Sequence, residues 1–135
     1  MATKAGTQTR NQDRRVEMTV EGLKLDYAWH LRYTQVKESA NASLREQYTA
    51  FAYCVRDRMI ERWLETQALH RNQNVKRIYY LSLEFLIGRL LGNNVINLKM
   101  ESMCSEALAE EGIDWNSLRE LEVDAGLGNG GLGRL

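Results

Sequence analysis

The chain has 135 residues, of which 18 are basic and 18 acidic, so its formal net charge is zero. This balance creates no overall field that would favour binding to DNA, RNA or an anionic membrane surface. The length suits one ordinary domain and is short for an enzyme that binds a cofactor and two substrates.

The two cysteines indicate whether the protein belongs to a reducing or an oxidising compartment of the cell. Cys54 and Cys104 lie far apart and show neither the spacing of a zinc site nor that of a disulfide framework. Residues 1–15 lack the apolar stretch of a secretory signal. We therefore expect a cytoplasmic protein with two free thiols and no metal site.

The predicted elements begin after a polar tail. Residues 1–21 are predicted to be a mobile polar tail, because about the first fifteen lack the apolar side chains that would offset the entropy of ordering. From Leu23, apolar residues recur at helical spacing, which predicts a helix ending near Lys37. Ser43 and Glu46 have the spacing of a capping box, which predicts a long amphipathic helix from Ser43 to about His70.

The second half of the chain combines a strand pattern with helix patterns. The run RIYYLS at residues 77–82 is apolar and β-rich, which predicts a buried strand of an α/β sheet. Helices are predicted over residues 89–99 and 101–111, with Gly112 placed to end the second, and a short helix over 115–121. The predicted fold class is therefore α/β and mainly helical, with residues 22–135 forming one incomplete domain.

The chain closes with DAGLGNGGLGRL at residues 124–135, where five of the eight residues from 126 to 133 are glycine. Without Cβ atoms, the backbone amides of such a loop can approach a phosphate group closely. A helix starting after Asn129 would add the attraction of its positive end. A phosphate loop is the interpretation that we favour.

Two other interpretations of the glycines stay open. Gly126, Gly128 and Gly131 match the dinucleotide fingerprint G-x-G-x-x-G, which should directly follow a buried strand. Glu120 and Glu122 make the preceding stretch acidic and poorly suited to a central strand. The remaining interpretation is a flexible glycine-rich linker.

Two runs resemble the glycogen, starch and maltodextrin phosphorylases. They are KRIYYLSLEF at residues 76–85, followed by Gly88, Arg89 and Asn93, and the glycine-rich run at 124–135. The resemblance covers roughly residues 23–135. It implies that the chain is the N-terminal fragment of a longer enzyme with two Rossmann-like lobes, the glycosyltransferase B arrangement.

The family resemblance also implies chemistry. Family members bind pyridoxal 5'-phosphate through a lysine of the C-terminal lobe, a region absent from this chain. They transfer terminal α-1,4-linked glucose of a glucan to orthophosphate, which yields α-glucose 1-phosphate, and they form homodimers. The isolated chain is predicted to be inactive. A truncated interaction or regulatory module and a dinucleotide-binding domain are the alternative functions.

By the same resemblance, residues of the glycine-rich run have roles at the active site. Gly130 and Gly131 match the loop whose amides face the substrate phosphate and the cofactor phosphate. Asn129 would hold the turn of that loop, and Leu132 would lie beside the glucose. These residues line the site and are not its acid or base.

Five further positions align with residues of functional sites in the family, and two of them, Leu86 and Arg71, depart from the animal pattern. Glu84 matches a carboxylate close to the active-site cleft, although a solvated structural glutamate is the commoner explanation of such a residue. Leu86 lies where animal members carry a tyrosine near the cofactor ring. Trp63 and Gln67 match two residues of the AMP-activating site of animal members. This nucleotide site is degenerate here, because Ala68 replaces a second glutamine and Arg71 replaces a stacking tyrosine. A structural role on the apolar face of its helix is expected for Trp63.

Overall fold

The computed structural model describes residues 13–84, 86–126 and 128. Five α-helices follow one another in this part of the chain: α1 Val20–Tyr33, α2 Leu44–Gln73, α3 Leu91–Asn97, α4 Glu101–Glu110 and α5 Trp115–Arg119. Short 3-10 turns lie at Arg14–Val16 and Ser39–Asn41. The mainly helical character predicted from the sequence is confirmed. Within the described ranges, no helix is long and apolar enough to cross a bilayer.

The long helix α2 begins at the predicted capping box. The Ser43 hydroxyl accepts a hydrogen bond from the amide of Glu46 at 3.4 Å, and the Glu46 carboxylate accepts one from the amide of Ser43 at 2.8 Å. Two amides at the helix start are thereby satisfied. Asn74 ends the helix in a left-handed conformation with φ of 48°, four residues beyond the predicted end at His70.

The core lies where α1 crosses the first half of α2, and α4 and α5 pack beside it. The Phe51 ring meets the ring of Trp115 edge to face, with 5.4 Å between their centroids. The apolar spacing of α1 predicted its buried face correctly. The main buried side chains are Leu23, Tyr27, Leu31, Phe51, Cys54, Val55, Met100, Cys104, Leu108 and Leu118.

Only the first half of α2 enters this core. Met59 and Trp63 continue the apolar spacing of Val55, yet they are 41% and 64% exposed. The apolar face predicted for the whole helix is therefore covered along half of its length by the described residues.

The strand predicted over residues 77–82 is not formed, and the described residues between α2 and α3 contain neither helix nor strand. A strand requires a neighbour to pair its backbone amides and carbonyls, and the described residues provide no second strand. The side chains of this run are also uncovered, with Ile78, Tyr80, Leu81 and Leu83 between 71% and 98% exposed. The prediction of a buried strand, and with it the α/β part of the predicted fold class, is therefore wrong for the described residues.

A polar segment, residues 13–19, lies against α1 and α2. The guanidinium of Arg58 donates to the main-chain oxygens of Arg15 and Glu17 at 2.7 and 3.1 Å. Thr19 caps α1 by accepting a hydrogen bond from the amide of Gly22 at 3.0 Å. The folded part therefore includes residues 13–21, which the sequence analysis assigned to the tail, whereas residues 1–12 lie outside the described residues.

Gly22 is the point of closest approach between this segment and α1. A Cβ atom at Gly22 would lie 2.8 Å from the main-chain oxygens of both Arg14 and Glu17. Any larger residue would have to push the segment outward.

We predict that Gly22→Ala lowers the free energy of unfolding by roughly 1–3 kcal/mol, because the added methyl group overpacks this contact. Gly92→Ala in α3 is the matched control, since a Cβ there meets no atom within 4 Å. It should leave stability unchanged or raise it by up to about 1 kcal/mol. Urea unfolding followed by circular dichroism measures both, and equal losses in the two variants would contradict the close contact.

Candidate functional site

Two acidic residues connect the glycine-rich end to the segment that precedes α3. The Glu122 carboxylate accepts hydrogen bonds from the amides of Leu90 and Leu91 at 2.7 and 2.8 Å. The Arg89 guanidinium donates to the Glu120 carboxylate. The two segments thus lie side by side although they are 31 or 32 residues apart in the chain.

The connection has a simple electrostatic cause. The N-cap residue of α3, Leu90, offers no side-chain cap, so the first amides of the helix need an external acceptor. The Glu122 carboxylate is this acceptor, and its negative charge lies at the positive end of the helix. The hydrogen bond from Arg89 also holds the pKa of Glu120 below its usual range. Sequence reasoning used these acidic residues only as an argument against a strand and missed this role.

The glycine-rich run begins with a turn. The Asp124 carboxylate accepts a hydrogen bond from the amide of Gly126 at 2.9 Å, and Gly126 has φ of 64°. Asp commonly forms such a turn, and the positive φ favours glycine. Asn129, Gly130, Gly131 and Leu132 lie outside the described residues, so their phosphate and glucose contacts stay predictions.

Glu84 and Leu86 lie in the irregular segment ahead of Arg89. Glu84 is half-buried, and its amide donates to the Ser82 hydroxyl at 3.1 Å. Leu86 is 61% exposed. Arg89, which follows this segment, is joined to Glu120. The active-site roles of both residues stay predictions.

The three residues of the degenerate nucleotide site share the second half of α2. They are four residues apart, so they lie along one side of the helix. Trp63 is 64% exposed, Gln67 is half-buried and Arg71 is exposed. The described part of the chain therefore does not bury Trp63, contrary to its expected structural role.

A buried ion-pair network joins α1 to α2, and the sequence analysis missed it. Arg58 and Asp26 are 2% and 1% exposed, and Nη1 of Arg58 lies 2.8 Å from a carboxylate oxygen of Asp26. His30 Nε2 lies 3.1 Å from Asp57 and 3.6 Å from the other oxygen of Asp26. Burial raises the pKa of Asp26, although Arg58 opposes this shift. The spacing of Asp26 and His30, four residues apart on α1, was the feature of the sequence that could have predicted this network.

The ligand atoms of Asp26, His30 and Asp57 lie within 4.8 Å of one another, a spacing that could hold a metal ion. However, Arg58 contacts Asp26, and Arg56 contacts Asp57 at 3.0 Å. Two guanidinium groups thus already balance the two carboxylates, and a divalent cation would add uncompensated buried charge. We interpret the cluster as a structural network between the two helices.

Both cysteines are free thiols, as predicted, and both are buried. Burial raises the pKa of the Cys104 thiol to about 12 and that of Cys54 well above its usual value. Both thiols therefore stay protonated at neutral pH and are poor nucleophiles.

No protein-family model matches the chain. Among curated proteins, it is 46% identical over 134 residues to "Glycogen phosphorylase, muscle form" of Ovis aries. This match covers 93% of this chain and 16% of the relative. The human muscle form is 45% identical, and its match covers the same fractions of the two chains. The brain form of Bos taurus is 44% identical over 132 residues, or 91% of this chain and 16% of the relative.

The described structure is thus a helical unit whose glycine-rich end is joined to an irregular segment with exposed apolar side chains. Over more than nine tenths of this chain, the matched relatives are glycogen phosphorylases, which confirms the resemblance of the two sequence runs to that family. The chain spans about one sixth of the length of these relatives, 16% in each case.

We predict that Glu122→Ala loosens the connection to α3, because the amides of Leu90 and Leu91 lose their acceptor. The loss should be about 1 kcal/mol, the usual value of a helix cap, and exchange of these two amides with deuterium should quicken. Glu106→Ala, at an exposed position of α4, is the control. Unchanged exchange at Leu90 and Leu91 in a ¹⁵N NMR experiment would contradict the assigned contact.

We predict that Arg58→Met costs about 3–5 kcal/mol at pH 7, because it leaves the carboxylate of Asp26 buried without a partner. The pKa of Asp26 is raised by burial and should rise further in the variant. A raised pKa in the folded state favours folding at low pH, and this benefit is lost as the pH rises. The loss caused by Arg58→Met should therefore shrink as the pH falls from 7 to 4.

Arg56→Met is the control for this experiment, since its exposed ion pair with Asp57 should contribute no more than about 1 kcal/mol. Urea unfolding at pH 4 and pH 7 gives the free energy of each variant. A loss in Arg58→Met that is the same at both pH values would argue against the buried pair with Asp26.

Proposed function

We propose that the chain supplies the N-terminal part of a glucan phosphorylase. Such an enzyme moves the terminal α-1,4-linked glucose of a glucan to orthophosphate and forms α-glucose 1-phosphate. The observation that carries the proposal is the 46% identity to the sheep muscle glycogen phosphorylase over 134 residues. The contacts of Glu120 and Glu122 support it, because they join Arg89 of the first family motif, and the start of α3, to the residues directly ahead of the second motif.

The proposed enzyme has two Rossmann-like lobes in the glycosyltransferase B arrangement. The exposed apolar run at residues 77–83 supports this part of the proposal. Its β-rich side chains would be covered, and its backbone paired, by strands from the rest of such an enzyme. Ligands of such sheets bind at the carboxyl ends of the strands. Glu84, directly after the run, would then lie at the cleft.

The glycine-rich run would bind phosphate through its backbone. In this proposal the amides of Gly130 and Gly131 donate hydrogen bonds to phosphate oxygens, and Asn129 holds the turn. Leu132 contacts the glucose and excludes water from one side of it. The Asp124 turn and the positive φ of Gly126 support a loop that changes direction just ahead of these amides.

Pyridoxal 5'-phosphate is the cofactor that the family resemblance implies. Leu86 fits such a group, because it is apolar, 61% exposed and able to contact a planar ring. When bound, the cofactor supplies a phosphate that exchanges a proton with the substrate phosphate. The residues of this chain would position that substrate, and they include no lysine that we assign to the cofactor.

The exposed second half of α2 supports assembly of the proposed enzyme as a homodimer. Met59, Trp63, Leu64 and Leu69 are 40–64% exposed along this helix. Exposed apolar surface of this kind is typical of protein interfaces.

We place the enzyme in the cytoplasm. We expect no AMP control through Trp63, Gln67 and Arg71.

The alternative functions are less well supported. A dinucleotide loop should follow a buried strand directly, but the element ahead of the glycines is the helix α5, and the residues after it are irregular. A separate regulatory module would not explain the similarity to an enzyme across both halves of the chain.

We predict that a chimera of the sheep muscle enzyme, with its matched residues replaced by this chain, releases glucose 1-phosphate from glycogen. Gly131→Ala in the chimera should lower kcat roughly 100-fold, because a displaced phosphate loses its alignment. Gly92→Ala is the matched control and should keep full activity. The isolated 135-residue chain should release none.

Two results would contradict this proposal. A chimera that folds and dimerises but does not release glucose 1-phosphate would overturn the assigned function. Equal activity of the Gly131→Ala and Gly92→Ala chimeras would overturn the role of the loop.

A further inference from the structure

The run at residues 77–83 exposes both its side chains and its backbone. No backbone–backbone hydrogen bond joins residues 76–83 to another described residue. Main-chain amides and carbonyls that lie unpaired beside apolar side chains form a template for another strand. The run therefore offers two surfaces that a second β-strand could cover. Five of its side chains are 71–98% exposed: Ile78, Tyr79, Tyr80, Leu81 and Leu83.

The composition of the run is that of a segment that pairs with copies of itself. The run contains neither proline nor glycine, and its one charged residue is Arg77. Short segments with strong β-propensity and little charge pair readily with identical segments, because each copy offers the backbone groups and apolar side chains that the other lacks. A second copy of this chain is therefore a suitable partner.

Charges at the two ends of the run favour one direction of pairing. Lys76 and Arg77 lie at its start, and Glu84 directly follows its end. Parallel pairing in register would place each cation beside the same cation of the other copy, and like charges that face each other across two strands are destabilising. Antiparallel pairing instead brings the cations of each copy to the same end as the carboxylate of the other.

The register that matches these charges is centred on Tyr80. In this register Lys76 lies opposite Glu84 of the second copy, because each is four residues from Tyr80. The two Tyr80 rings lie opposite each other, and aromatic pairs across two strands are stabilising. The arrangement has two-fold symmetry and uses the same surface of both copies, so it closes as a dimer.

We propose that the run at residues 77–83 binds a second copy of this chain as an antiparallel pair of β-strands centred on Tyr80. This contact is separate from the exposed face of α2 that we assign to the homodimer of the proposed enzyme. In that enzyme, other strands would take the place of the second copy. Two strands alone are marginally stable in water, so the contact is weak and reversible.

Disulfide trapping of the 135-residue chain under mild oxidation tests the pairing and its direction. Tyr80→Cys should give a cross-linked dimer, because the two Cβ atoms would lie about 4.5–5.5 Å apart, which a small backbone shift brings to the distance in a disulfide. The parent chain should give none, since Cys54 and Cys104 are buried.

Lys76→Cys is the matched control at another exposed position beside the run. In the antiparallel pair its two sulfur atoms would be separated by eight residues of strand, roughly 27 Å, so it should not cross-link. Equal cross-linking by Tyr80→Cys and Lys76→Cys would indicate parallel pairing or random collision and would overturn the proposal. The absence of a cross-link in Tyr80→Cys would overturn it as well.

Two further changes in the Tyr80→Cys chain separate strand pairing from other association. Leu81→Pro together with Ser82→Pro removes one amide from each edge of the strand and should abolish the cross-link. Trp63→Glu places a charge on the exposed face of α2 and should leave the cross-link unchanged. Persistence of the cross-link in the proline variant, or its loss in Trp63→Glu, would contradict pairing through this run.

Discussion

The fold depends on one buried guanidinium. Arg58 donates hydrogen bonds to the carboxylate of Asp26 in α1, to the main-chain oxygen of Cys54 in its own helix, and to the segment ahead of α1 through Arg15 and Glu17. A guanidinium suits this position because its five N–H groups spread in a fixed plane and can reach several acceptors at once. These contacts tie both α1 and residues 13–19 to α2. His30 and Asp57 extend the same network to the surface of α2.

A second polar connection joins two segments that are distant in the sequence. Glu122 accepts hydrogen bonds from the first amides of α3, and Glu120 accepts one from Arg89. The residues directly ahead of the glycine-rich run therefore lie beside those directly ahead of α3. The first family motif, which includes Arg89, is thereby connected to the residues that precede the second.

Much of the helical structure was predictable because its signals are local. The capping box of Ser43 and Glu46 lies within one helical turn, and the spacing of Leu23, Tyr27 and Leu31 repeats along one face. Gly112 ends α4 with φ of 74°, as its position indicated. Of the candidate site, the family motifs predicted which segments contribute, and the roles of their residues stay predictions. The contact between those segments was not predictable, since nothing near Glu122 in the sequence points to Leu90.

The sequence by itself determined the helices, the capping box of α2, the free thiols and the resemblance to the phosphorylases, because each of these depends on neighbouring residues or on the order of residue types. Only the tertiary structure decided that the β-rich run stays unpaired and that Trp63 stays exposed. It also decided that Arg58 is buried with Asp26. The physical reason is that burial, pairing and ion-pair formation depend on groups distant in the sequence, whose positions the local pattern does not contain.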